Sequence, residues 1–134
     1  MKSYEIQQNL DAMQALAEDI NRWAKDKGFW NTTFGVVLPT EQEAEFSLLK
    51  KSQKLMLIVS ELSECLEGLR KPANPIEAIQ DPDGIFLSNE EEEIADAIIR
   101  LLDYAGQYNL RIGAAIDAKM AKNEGRPFMH GKKF

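Results

Sequence analysis

The sequence predicts an all-α fold, a four-helix-bundle-like arrangement in a single domain over residues 1–134. Three observations carry this. Apolar residues recur at spacings of three and four along most of the chain, the signature of helices with one buried face. Glycine and proline gather at a few points that separate those stretches. Nowhere does a strict polar–apolar alternation run long enough to compete as a strand. With 134 residues, 44% of them hydrophobic, the chain has material for one core and is not a disordered polymer.

The first helix is expected over about Ser3 to Lys25, where Ile6, Leu10, Met13, Ala17, Ile20 and Ala24 form an amphipathic stripe that Gly28 ends. The stretch GFWNTTFGVVLP reads as a loop. Thr40, with Gln42 and Glu43 behind it, reads as the cap of a long second helix to about Arg70. Its main apolar stripe is Leu55, Val59, Leu62, Leu66 and Leu69, and Pro72 and Pro75 stop it. Residues 72–87 form a long connection, a length often given over to a lid or an oligomer contact. Ser88 and Glu91 match a capping box opening a third helix, to about Tyr108, with four successive glutamates at its positive end. A shorter fourth helix runs from about Ile112 to Asn123 and stops at Gly125 and Pro127.

Composition narrows the class. No apolar run approaches the roughly 20 residues of a membrane span, and the first residues lack the apolar stretch of a signal peptide. The single Cys65 permits no internal disulfide, which fits a reducing compartment, so a cytoplasmic protein is expected. A net charge of −6 argues against a dedicated nucleic-acid binder. That charge is unevenly spread: residues 111–134 carry +4 and the remainder −10. An acidic body with a basic tail can hold a metal with one part and polyphosphate with the other; a solvated terminus is the plainer alternative.

Two acidic motifs stand out, Glu61-x-x-Glu64 and Glu93-x-x-Asp96. Residues three apart sit one turn above each other, so each motif puts two carboxylates on one helical face. Both interrupt apolar stretches, where isolated charges are costly to bury. Leu57, Glu61, Glu64 and Gly68 share one strip. On the third helix Arg100 and Asp103 continue the acidic strip as a possible counter-charge. Two such strips would face one another across the bundle. Four carboxylates there repel unless a cation holds them, and an all-oxygen donor set suits Mg²⁺, with Mn²⁺ as a substitute. A di-iron site normally takes a Glu-x-x-His from each of two helices, and the only histidine, His130, lies in the tail. The expectation is a Mg²⁺-dependent enzyme acting on a phosphorylated substrate.

These residues resemble the MazG-like all-α nucleoside triphosphate pyrophosphatases, whose motif is Glu-x-x-Glu followed, after a variable linker, by Glu-x-x-Asp. Here 28 residues separate the two halves, long for the pattern. The tail KMAKNEGRPFMHGKKF is similar to the family's closing segment through Lys119, Asn123, Arg126 and the run from His130 to Phe134. The resemblance spans about residues 40–134. It implies hydrolysis of an NTP or dNTP to the monophosphate and pyrophosphate, with Glu61, Glu64, Glu93 and Asp96 holding Mg²⁺. Either Glu61 or Glu64 would act as general base.

Lys119 and Asn123, four apart, would reach polyphosphate together, with Arg126 and Lys133 as further phosphate ligands, while Lys122 and Lys132 read as solvated. Phe29, Trp30, Asn31 and Phe34 are candidates to stack on or hydrogen-bond a base, with Trp30 and Phe34 alternatively plugs for the bundle. Trp23 reads as core or interface, Cys65 as a buried small residue, His130 as a structural or solvent group, and Met13, Met56 and Met120 as packing residues. Four amphipathic helices in so short a chain leave apolar surface uncovered, and the family assembles as dimers or tetramers. A homo-oligomer is therefore expected, with Lys119 or the tail able to come from a neighbour. The alternatives are a non-catalytic helical module that binds nucleotide, metal or a partner helix, and the same fold acting on nucleoside diphosphates or dUTP.

Overall fold

The computed structural model describes residues 4–31, 37–71 and 79–133. Four helices dominate: α1 (Tyr4–Asp26), α2 (Thr40–Arg70), α3 (Asn89–Gln107) and α4 (Ile112–Glu124). α3 packs on both α2 and α1, and α4 packs on α1, so α2 lies at the edge of the assembly against α3. Among the described residues there is no strand, only an isolated antiparallel bridge between Gln80 and Phe86. It closes a turn in which the Asp81 carboxylate accepts from the backbone N–H groups of Asp83 and Ile85, each at 2.9 Å. Residues 72–78 of that expected connection lie outside the described residues. No helix among the described residues is long and apolar enough to cross a membrane.

Helix boundaries follow local chemistry. Gly28, at φ 82°, takes the left-handed conformation that ends α1, and Phe29 N–H returns to the Ala24 carbonyl at 3.1 Å. Ser88 and Glu91 form the complete capping box, the hydroxyl accepting from Glu91 N–H and the carboxylate from Ser88 N–H. The expected cap at Thr40 is not one: Thr40 is already helical, Pro39 precedes it, and no side chain caps the end. Proline fixes the entering backbone, so the helix starts without a hydroxyl cap. α4 reaches Glu124, and the 3₁₀ turn Phe128–Gly131 follows, an element the sequence pattern did not announce.

The core is built from small residues. α1 buries Leu10, Ala17 and Ala24, and α3 buries Ala97, Leu102 and Ala105. Helices whose contact faces carry alanine and glycine approach closely. A methyl at Gly106 would sit 2.5 Å from the Ala17 carbonyl oxygen, and one at Gly113 would sit 2.7 Å from that of Leu10.

α2 turns a different face inward than its most apolar one. It buries Ile58, Glu61 and Cys65, while Leu55, Val59, Leu62, Leu66 and Leu69 stay exposed. Met56 and Met120, expected to pack, are exposed as well, whereas Cys65 is buried as expected. Trp23 is half exposed.

Candidate active site

The inward face of α2 runs Lys54, Ile58, Glu61, Cys65 and Gly68, at spacings of four and three. Across from it, α3 presents Asn89, Glu93 and Arg100. This juxtaposition gathers Glu61, Glu64 and Glu93, whose carboxylate oxygens can all lie within 4.8 Å of one another. Glu61 is buried, Glu93 half-buried and Glu64 exposed, so the group opens to solvent on the Glu64 side. Glycine at position 68 leaves room for the Asn89 side chain, which a Cβ there would strike. The Asn89 amide donates to Glu93 Oε1 at 3.2 Å.

Asp96 is not a member of this three-carboxylate group. One turn further along α3, it lies on the wall of a neighbouring cavity. It acts on the group at longer range. Burial, then the Glu64 charge, pushes the Glu93 carboxyl above its ordinary value, with Glu61 and Asp96 adding in the same direction and the Asn89 bond opposing. A carboxyl that resists ionisation among like charges is a group a cation would relieve.

Arg100 provides the counter-charge, across helices: its Nε donates to Glu61 Oε1 at 2.5 Å. Asp103, the other residue of the expected strip, does something else. It is buried and accepts from Trp30 Nε1 at 2.9 and 3.0 Å and from Asn21 Nδ2 at 2.8 Å. Asn21, itself buried, also donates to Gln107 Oε1 at 3.1 Å. Asp103 thus anchors the loop after α1 to α3.

That anchoring shapes a cavity of about 180 Å³ lined by Trp23, Phe29, Trp30 and Tyr104, with Lys54, Asp96, Ile99, Arg100 and Asp103 completing the walls. Lys54 Nζ donates to the Phe29 carbonyl at 2.9 Å and stands 4.4 Å from the Trp30 ring centroid. Lys50 Nζ donates to the Trp30 carbonyl at 2.9 Å. Burial lowers both lysine pKa values; for Lys54 the Arg100 charge lowers it further and Asp103 opposes. Trp30 packs edge-on against Tyr108, centroids 5.8 Å apart. Arg100 joins the two features, since it lines the cavity and grips Glu61.

Of the expected base-binding residues, Phe29 and Trp30 line this cavity. Asn31 does not: its backbone N–H closes the turn onto the Gly28 carbonyl at 3.0 Å and the residue is exposed. Phe34 and the side chain of His130 lie outside the described residues. Lys119, Asn123, Arg126 and Lys133 are exposed, and none lines the cavity or joins the carboxylate group. The reason is topological: α4 packs on α1, whereas the carboxylates sit where α2 meets α3. Within one chain, the cationic side chains that line the cavity are Lys54 and Arg100. Lys122 and Lys132 are exposed, as expected.

Sequence reasoning missed Lys54, Asn21 and Tyr104. A signal existed for Lys54, which lies seven residues before Glu61 and hence on the same face of α2. No protein-family model, no curated protein and no solved structure matches the chain.

Proposed function

We propose that the chain is a nucleotide pyrophosphohydrolase that splits an NTP or dNTP into the monophosphate and pyrophosphate. The observation that carries the reading is the placement of Glu61, Glu64 and Glu93 beside an aromatic-walled cavity, with Arg100 shared between them. Three carboxylates at one point fit a hard divalent cation, because the donors are all oxygen and the Glu93 carboxyl is destabilised as an anion without one. Glu61, Glu64 and Glu93 would hold Mg²⁺, with Asp96 as an outer acidic neighbour. Bound there, Mg²⁺ supplies phosphate-charge neutralisation and a more acidic water.

The protein's own groups divide the remaining work. Trp30, Phe29 and Tyr104 offer ring faces for a nucleobase. The cavity is smaller than the roughly 300 Å³ at which drug-sized pockets begin, so it suits a single ring system with the phosphates outside it. Arg100 and Lys54 offer positive charge between base and carboxylates, where the phosphates would lie. Glu61 is committed to Arg100, while Glu64 faces solvent, so Glu64 is assigned the general-base role toward the attacking water.

The test is a hydrolysis panel over common and modified NTPs, dNTPs and nucleoside diphosphates with Mg²⁺, with phosphate and pyrophosphate measured separately. The expected result is monophosphate plus pyrophosphate, lost in Glu64→Gln. Nucleotide binding without turnover on any substrate would replace this reading with a non-catalytic binding module.

A further inference from the structure

Two positive partners have a claim on Glu61. It belongs to the three-carboxylate group that fits a cation, and its Oε1 accepts from Arg100 Nε at 2.5 Å. A guanidinium and a divalent cation at one carboxylate repel each other, so each weakens the hold of the other. The grip of Arg100 is a limited one. Its side chain is 42% exposed, against 8% for Glu61. It bonds through Nε alone and makes no other hydrogen bond among the described residues. A fork of two N–H groups is the strong form of this contact, and both Nη groups are left over here.

A second acceptor stands one turn away. Asp96 precedes Arg100 by four residues on α3, the favourable order for an acid and a base on one helix face. Asp96 is exposed and lines the same cavity as Arg100, and among the described residues it makes no hydrogen bond or ion pair. Arg100 nevertheless turns to Glu61. A buried carboxylate left without a partner costs far more than an exposed one, and that difference decides the choice. Once another positive charge compensates Glu61, the reason for the choice is gone.

We propose that Arg100 is the resident counter-ion of Glu61 and exchanges partners when that carboxylate is given to a divalent cation. The released guanidinium then stands at the cavity wall, free for an anionic ligand such as polyphosphate. Arg100 is thus a positioning residue with two stations. With Glu61 given to a cation, the cavity gains a positive charge that Glu61 otherwise holds. By linkage, an anion that engages Arg100 favours the cation in return. The exchange rests on the carboxylates holding a cation, as proposed above, and not on turnover.

Calorimetric titration of the metal-free chain with MnCl₂, without nucleotide, tests the exchange. Arg100→Gln is expected to bind Mn²⁺ about 5- to 150-fold tighter than the wild type, the usual range of coupling between two sites. Arg100→Lys, which keeps the charge, is expected to stay near the wild type. A purely structural arginine would instead leave Mn²⁺ binding weaker in both variants. Equal or weaker binding in Arg100→Gln, or no Mn²⁺ binding by either protein, overturns the proposal. The wild type gives a readout that no variant's folding can spoil. Its Arg100 Nε–H resonance, assigned by its loss in Arg100→Lys, should lose protection from exchange with water at saturating Mg²⁺, and retained protection overturns the exchange. A second titration uses the four α,β-methylene dNTPs. Arg100→Gln should match the wild type in EDTA and bind more weakly with Mg²⁺. A loss already present in EDTA, or equal affinity with Mg²⁺, would count against the exchange. The expected Mn²⁺ result in a chain that binds no nucleotide would sink the hydrolase reading alone.

Discussion

Glu93 is the member of the carboxylate group whose titration the fold shifts. Its folded pKa lies above the ordinary glutamate value, first through burial and then through Glu64. A raised carboxyl favours its protonated form in the folded protein, so it disfavours folding once ionised. That contribution is absent below the unfolded-state pKa and grows as pH rises through the folded one. In metal-free buffer, Glu93→Gln is therefore expected to raise the melting temperature at pH 7, with the gain vanishing near pH 4; the amide oxygen still accepts from Asn89. A thermal melt at the two pH values checks it. At the neighbouring carboxylate, Glu64→Gln is expected to lower kcat about 10²- to 10⁴-fold, the usual worth of a general base, with no loss of thermal stability because Glu64 faces solvent. Asn21 makes the opposite case. Removing its buried amide by Asn21→Ala leaves acceptors on Asp103 and Gln107 short of a donor and is expected to cost about 1–3 kcal/mol in urea unfolding. The acidic motifs were legible in the sequence because their carboxylates are three residues apart. The pairings of Asn21 with Asp103 and of Trp30 with Asp103 span 82 and 73 residues, and no local pattern encodes such a distance.

Among the elements, α3 is the one the sequence described most fully. Its capping box, its acidic first turn and its extent all appear in the fold. Ser88→Ala is expected to cost about 0.5–2 kcal/mol, since it removes the one side chain that satisfies Glu91 N–H. The measurement is a chemical denaturation midpoint. α2 was harder to read. Its length and end were clear, yet the stripe richest in leucine is exposed, and the packed face is the one that includes Lys54 and Glu61. Hydrophobic periodicity shows which face seeks burial; it does not say whether the cover belongs to the same chain. Nor did periodicity reveal how closely the helices approach. Gly106 faces the Ala17 carbonyl, so Gly106→Val is expected to force α1 from α3 at a cost of about 1–3 kcal/mol, the usual penalty of overpacking. Differential scanning calorimetry would register it.

At the scale of the whole molecule, the helices form a row in which α4, α1, α3 and α2 pack in turn, with the acidic group and the cavity gathered around α3. Among the described residues, the basic side chains of the tail line neither feature within their own chain. The chain contains two tryptophans, Trp23 and Trp30, and both form walls of the same cavity. Every indole photon the protein emits therefore originates at that one cavity, and one of its two emitters is hydrogen-bonded to Asp103 and flanked by Lys50 and Lys54. The protein thus carries its own optical reporter, and unlabelled ligands can be ranked by how they shift or quench its native fluorescence.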